Sequence, residues 1–202
     1  LMGAAAAAAS AGGGDFYTHQ IANSFRWESG YLKWTPGSAG NRQTWTFSCW
    51  VKKTENTYQH ILNAGTAGHQ IDRFVAYWNE DKLSSSSMEA NFNSSAAVYR
   101  DSSAWQHIVW KLSGGTSYQY VNNVLASSSS VSGDVAINNN VETTLGISGD
   151  YDASSKYTGY MAEVVFIDGT ALDPDSFAET KNGVWIPSDP SGLTFGSQGY
   201  YL

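Results

Sequence analysis

The sequence is poor in cysteine and in charge, and it has no long apolar run. A single cysteine, Cys49, stands among 202 residues. An intrachain disulfide framework is thereby excluded, and so is a zinc centre built on clustered Cys and His ligands. Cys49 lies in the alternating run TWTFSCWVKK and reads as a small core residue. Charged residues make up 14% of the chain, against about a quarter in ordinary globular proteins. Eleven Lys and Arg face 18 Asp and Glu, giving a formal net charge of −7 with no basic run. This argues against a nucleic-acid partner, because phosphate binding draws on clustered Lys and Arg. No apolar stretch approaches the roughly 20 residues that span a bilayer. The longest, residues 4–9, is all alanine and has no basic region before it, so neither a membrane span nor a secretory signal is expected. Two catalytic signatures are also missing: G-x-S-x-G, and a Gly-rich loop leading into a helix.

Ser, Thr, Asn and Gly take the place of the missing charges, together with eight Trp and twelve Tyr. The 42% of hydrophobic residues suffice for the core of one large domain. Residues 1–14, LMGAAAAAASAGGG, are of low complexity. Six alanines favour helix but cannot offset the cost of nucleating one alone. Residues 1–24 are therefore expected to be a linker or a packed anchoring segment, and residues 25–202 the folded domain. The opening LMG and the closing FGSQGYYL, which reads as part of a strand, suggest a longer polypeptide cut at both ends.

The folded part reads as all-β. Strands are expected at 30–35, 41–53, 58–63, 70–78, 87–92, 105–113, 116–121, 124–126, 141–147 and 159–168. In 41–53, Trp45, Phe47, Cys49 and Val51 alternate with Thr44, Thr46, Ser48 and Lys52. Trp50 interrupts the polar side, so that side must be covered as well. Asn122-Asn123 reads as a two-residue hairpin turn, because Asn tolerates positive φ. Segments 127–130 and 138–140 read as loops. Asp173-Pro174 begins the one plausible helical turn, over 173–180. Strand spacing of about ten residues with no amphipathic helix points to a sandwich of two antiparallel sheets.

Three segments carry a family likeness: YLKWTPGSAGNRQTWTFSCWVKK, WQHIVWKLSGGTSYQYVNNV and GYMAEVVFIDGTALDPDSFAE, the last followed by NGVWIP. In content and order, over about residues 25–202, they resemble the laminin G-like branch of the concanavalin A-like lectin/glucanase superfamily. They look most like the versions in structural proteins of tailed phages. The resemblance implies a jelly-roll β-sandwich in a virion tail or head fibre. Its partners would be other virion proteins and further copies of itself, with host-surface glycans as ligand. A lectin recognising host polysaccharide is the alternative function, and a glycoside hydrolase a distant third.

The candidate site residues follow from that implication. Saccharide binding uses flat aromatic faces with amides and carboxylates beside them. Trp34, Tyr77, Trp78, Tyr151 and Tyr157 lie near expected loops, with Asn79, Asp81 and Asn93 as polar partners. Trp45, Trp105 and Trp110 read as packing residues. Lectin and laminin G-like folds often carry a rim calcium site. Asp150 and Asp152, in GDYDASS, supply alternate carboxylates and hydroxyls for one, with Asp134 a looser candidate, although a solvated turn has the same composition. Glycosidases of the superfamily need a close pair of acids. Here Glu163 and Asp168 are five apart on one strand, and Glu89 and Glu142 are isolated. Among His19, His60, His69 and His107, the last sits inside a strand and reads as a structural imidazole. A non-catalytic protein is expected.

Overall fold

The computed structural model describes residues 16–28, 30–65, 73–87 and 90–202. The expectations on residues 4–9, His69 and Glu89 lie outside the described residues. In chain order the strands are β1 (Phe25–Trp27), β2 (Leu32–Trp34), β3 (Trp45–Lys53), β4 (Gln59–Ala64), β5 (Phe74–Asn79), β6 (Lys82–Ser87), β7 (Ala90–Ser94) and β8 (Gln106–Ser113). They continue with β9 (Thr116–Val121), β10 (Val124–Ser130), β11 (Thr143–Leu145), β12 (Gly159–Asp168), β13 (Ala178–Lys181), β14 (Val184–Pro187) and β15 (Tyr200–Tyr201). The first sheet runs β1-β12-β3-β8-β9-β10, with β15 also on β12, and the second runs β2-β11-β4-β5-β6-β7. All these pairings are antiparallel, and β13 with β14 forms a separate hairpin. The expected sandwich is the observed one.

Period-two alternation builds the core between the sheets. Trp45, Phe47, Cys49 and Val51 of β3 face inward with Ile108, Trp110 and Leu112 of β8. Opposite them stand Leu62, Ala64, Phe74, Ala76, Trp78 and Leu83 from the second sheet. Cys49 is fully buried there, and burial pushes its thiol well up, so it is inert as a nucleophile. The Asn122-Asn123 turn forms as read, with φ of 48° and 67°. Several segments differ from expectation. Residues 127–130 are strand, because their serines pair with β9 through a bulge after Leu125. A Ser-rich strand, β6, lies between β5 and β7 where only loop was expected. The helical turn shortens to one 3-10 turn at Pro174–Ser176, and Ala178–Lys181 beyond it is strand.

β12 shows why strict alternation fails locally. Counted by twos, Glu163 would point into the core with Met161. Instead two residues, Glu163 and Val164, stand opposite the single Cys49, and Glu163 takes the left-handed φ of 51°. This bulge extrudes the carboxylate and returns Val164 and Phe166 to the interior. Outside, Glu163 meets His19 Nε2 at 3.1 Å and accepts from Tyr201 Oη at 2.7 Å.

The outer face of the first sheet is covered as well. Trp50, Ala162 and Ala178 form a second apolar cluster with Ile21 and Trp185, while Val109, Val165, Ile167 and Phe177 form a third. The cover is the β13–β14 hairpin, the 170–177 and 188–199 segments, and the chain around Ile21. Thr18, His19 and Ile21, within the 1–24 segment read as a linker or a packed anchoring segment, thus lie against this face.

Candidate functional site

Pairing in the second sheet sets two rows of side chains on its outer face. Lys33, Thr144, Asn63 and Val75 form one row, and His60, Tyr77 and Ser84 the other. Tyr58 closes over the second row, its ring centroid 5.0 Å from His60 and 5.3 Å from Tyr77, with its hydroxyl 3.3 Å from His60 Nε2. Burial, then the nearby Arg73 guanidinium, pushes His60 down to about 4, so it is neutral at physiological pH. Arg73 Nε donates to Asn63 Oδ1 at 3.1 Å.

Beside these rows lies an exposed tyrosine surface. Tyr31 and Tyr151 are 40% and 38% exposed, with ring centroids 5.4 Å apart. Lys33 Nζ sits 5.3 Å above the Tyr151 ring, donates to Tyr151 Oη at 3.4 Å and pairs with Glu142 Oε2 at 3.4 Å. The Tyr151 hydroxyl also donates to Glu142. These bonds hold Tyr151 in one pose and raise the Lys33 ammonium and the Tyr151 phenol above their usual ranges, first through Tyr151 and Glu142 respectively. The result is a flat phenol face flanked by fixed ammonium and carboxylate groups. That arrangement can bind a hydroxylated ligand, and it carries no nucleophile. Glu142, isolated in sequence, becomes part of it because β11 brings residue 144 beside residue 33. Only long-range pairing could have revealed this.

Of the expected saccharide residues, Tyr151 and, beneath Tyr58, Tyr77 come to this face. Trp78 and Tyr157 do not: both are fully buried in the core and present no ring to a ligand. Trp34 packs edge-on against Tyr200, centroids 5.0 Å apart. Asn79 is exposed at the end of β5. Asn93 is buried and donates to Ser117 Oγ at 2.9 Å. Asp81 has a structural role as well. It lies 3.4 Å from the Nζ of Lys53, whose side chain is only 1% exposed, and Lys53 in turn donates to Tyr99 O at 2.7 Å. Asp81→Asn is expected to cost about 2 kcal/mol in a urea titration. This is less than the ~3–5 kcal/mol of fully buried pairs, because Asp81 keeps some solvent. An unchanged midpoint would show that Lys53 does not depend on it.

Asp150 and Asp152 spend their oxygens locally. Asp150 accepts from Ser148 Oγ, while Asp152 Oδ1 accepts from Ser154 N at 2.9 Å and Ser154 Oγ at 2.8 Å. These bonds hold both carboxyls below the usual range. Among the described residues no three His, Cys, Asp or Glu converge as a metal cluster. Asp134 binds Gln43 Nε2 at 2.8 Å.

Two arrangements resemble catalytic pairs in residue type but differ from them in geometry. His107 Nε2 lies 2.8 Å from Ser48 Oγ, but its Nδ1 accepts from Trp185 Nε1 at 3.2 Å instead of donating to a carboxylate. The imidazole stacks on Trp50 at 5.1 Å, and burial pushes it down to about 3. It therefore lacks both the acid partner and the access a general base needs. Glu163 and Asp168 share no partner. Asp168 is held by Asn41 N at 2.7 Å, Asn138 Nδ2 at 2.6 Å and Ser197 Oγ at 2.8 Å.

A laminin G-type family model, described as concanavalin A-like lectin/glucanases superfamily, matches residues 27–176. No curated protein matches the chain. Solved structures share the fold at low identity. A heptameric SAP-like pentraxin from Limulus polyphemus is 15% identical, with 70% of each chain covered and a TM-score of 0.55. Domain 4 of an extracellular arabinanase from Geobacillus stearothermophilus, in complex with arabinotriose, is 20% identical at a TM-score of 0.52, over 66% of this chain and 64% of that one. Mouse laminin alpha1 domains LG4-5 are 13% identical at a TM-score of 0.55, over 81% of this chain and 46% of that one.

Proposed function

Because the chain belongs to the concanavalin A-like lectin/glucanases superfamily, we propose that it is a non-catalytic glycan-binding module whose ligand meets the tyrosine surface around Tyr151. The observation that carries this reading is the exposed Tyr151 ring held between Lys33 and Glu142. A ring already locked in place loses little conformational entropy on binding, and flat aromatic faces suit the C–H face of a sugar. The arabinotriose held by the arabinanase domain supports a saccharide ligand. A non-catalytic role agrees with the occluded Ser48–His107 pair and with the separate partners of Glu163 and Asp168.

The likeness of three segments to tailed-phage structural proteins extends the proposal to a virion appendage. There the module assembles with other virion proteins and with its own copies, and contacts host-surface polysaccharide. The heptameric pentraxin offers a precedent for oligomers of this fold.

Tyr151→Ala is expected to weaken binding to a responsive polysaccharide about tenfold on a glycan array, a loss typical of one aromatic contact. The melting temperature should stay near that of the parent, since the ring is exposed. Full binding by Tyr151→Ala would remove this surface from the site. Silence across the whole array would remove the glycan reading itself. The chain's absence from purified particles would remove the appendage.

A further inference from the structure

We propose a second saccharide site, for neutral oligosaccharides, on the outer face of the first sheet. A groove of about 480 Å³ lies there between the N-terminal segment and the β13–β14 hairpin. This volume falls within the ~300–1,000 Å³ common for small-molecule sites. Trp50, Trp105 and Trp185 line it, with Tyr17, His19 and Gln20 on one wall and Val184–Pro187 on the other.

The aromatic faces are held before any ligand arrives. Trp105 is 38% exposed and leans on Tyr160 at 6.3 Å. Trp185 is anchored by its indole bond to His107 and tilts 36° against that imidazole. Trp50, itself buried, stacks on the same imidazole with centroids 5.1 Å apart. Rigid aromatic surface of this kind binds with little ordering cost.

The charge of the lining selects the ligand. Among the described residues no Lys, Arg, Asp or Glu lines the groove, and His19 is already engaged with Glu163. A charged ligand would shed water here without meeting a counter-charge, which is costly. A neutral sugar chain offers C–H faces to the indoles and hydroxyls to the Gln20 amide and the Tyr17 phenol, which both donate and accept. The lining contrasts with the Tyr151 surface, where Lys33 and Glu142 put both charges beside the ring. Position supports a separate site too. Residues 17–21 and 184–187, the two walls, lie outside the 27–176 span of the family match. The proposal stands independently of the Tyr151 surface.

The test uses the full chain labelled with 5-fluorotryptophan and followed by fluorine NMR. The probes are cellohexaose, xylohexaose, laminarihexaose and mannohexaose, with a proline decapeptide in parallel. At least one hexaose should shift the Trp105 and Trp185 resonances, assigned through Trp105→Phe and Trp185→Phe. Trp105→Ala should weaken that binding about tenfold, Trp105→Phe should retain most of it, and Tyr151→Ala should leave it unchanged. A cooperative melt near that of the parent shows that Trp105→Ala is folded. The proposal is overturned if no hexaose moves these resonances, if only the proline peptide does, or if Tyr151→Ala abolishes the response while Trp105→Ala spares it.

Discussion

Trp78→Ala should lower the unfolding free energy by about 3–5 kcal/mol, the range for removing a large ring from a packed core. Trp78 is fully buried among Phe74, Ala76 and Leu83 and packs against Tyr99 at 5.7 Å. Its ring also supports the buried Lys53 ammonium 4.6 Å away, an interaction worth up to about 2 kcal/mol when desolvated. Burial lowers the Lys53 pKa, and Asp81 opposes that shift. Truncation would leave both a cavity and a buried cation with weaker support. The urea midpoint should therefore fall steeply, while Trp105→Ala, at an exposed position, should barely move it. A stable Trp78→Ala protein that had lost only glycan binding would mean that the ring faces solvent.

Acid should destabilise the fold well above the range where carboxylates titrate. His107 is held down at about 3 by burial, and His60 at about 4 by burial and Arg73. In the unfolded chain both return to about 6.5. Below pH 6.5 the unfolded state therefore binds two protons that the native state refuses, and stability falls with pH. The contribution is complete above about pH 7 and drains away toward pH 4. Each histidine costs about 2 kcal/mol between pH 7 and pH 5, roughly 4 kcal/mol together. Urea titrations at the two pH values measure this directly. The His60 and His107 C2 proton resonances should stay at their neutral positions at pH 5. Equal midpoints at pH 7 and pH 5, or a His60 or His107 imidazole that charges in the native state near pH 6.5, would refute the assignment. The Asp150, Asp152 and Asp168 carboxyls lie below their ordinary range and act only in more acid solution, outside this window.

Much of the sandwich could be read from residues alone, because alternation is a local property. β3 and β8 carry it openly, Trp50 announced a second covered face, and Asn122-Asn123 marked its turn. The Ser-rich strand β6 and the 127–130 part of β10 were hidden because serine pairs through its backbone and leaves no hydrophobic period. The hairpin of β13 and β14 was masked by the helix-like signal of Asp173-Pro174. Trp185, Trp105 and Tyr17 could not be joined into a groove, since they are far apart in sequence and meet only across the first sheet.

The sequence by itself determined the class of the molecule: all-β, one free buried thiol, little charge, and no local catalytic signature. These follow from composition and from a period of two, which every residue and its neighbours express. Only the tertiary structure decided which aromatics reach the surface. Trp78 and Tyr157 turned inward, Tyr151 turned outward onto Lys33 and Glu142, and Glu163 left the core through a bulge. The reason is physical: strand register and bulges set the side on which each ring lies, and both depend on contacts between residues distant along the chain.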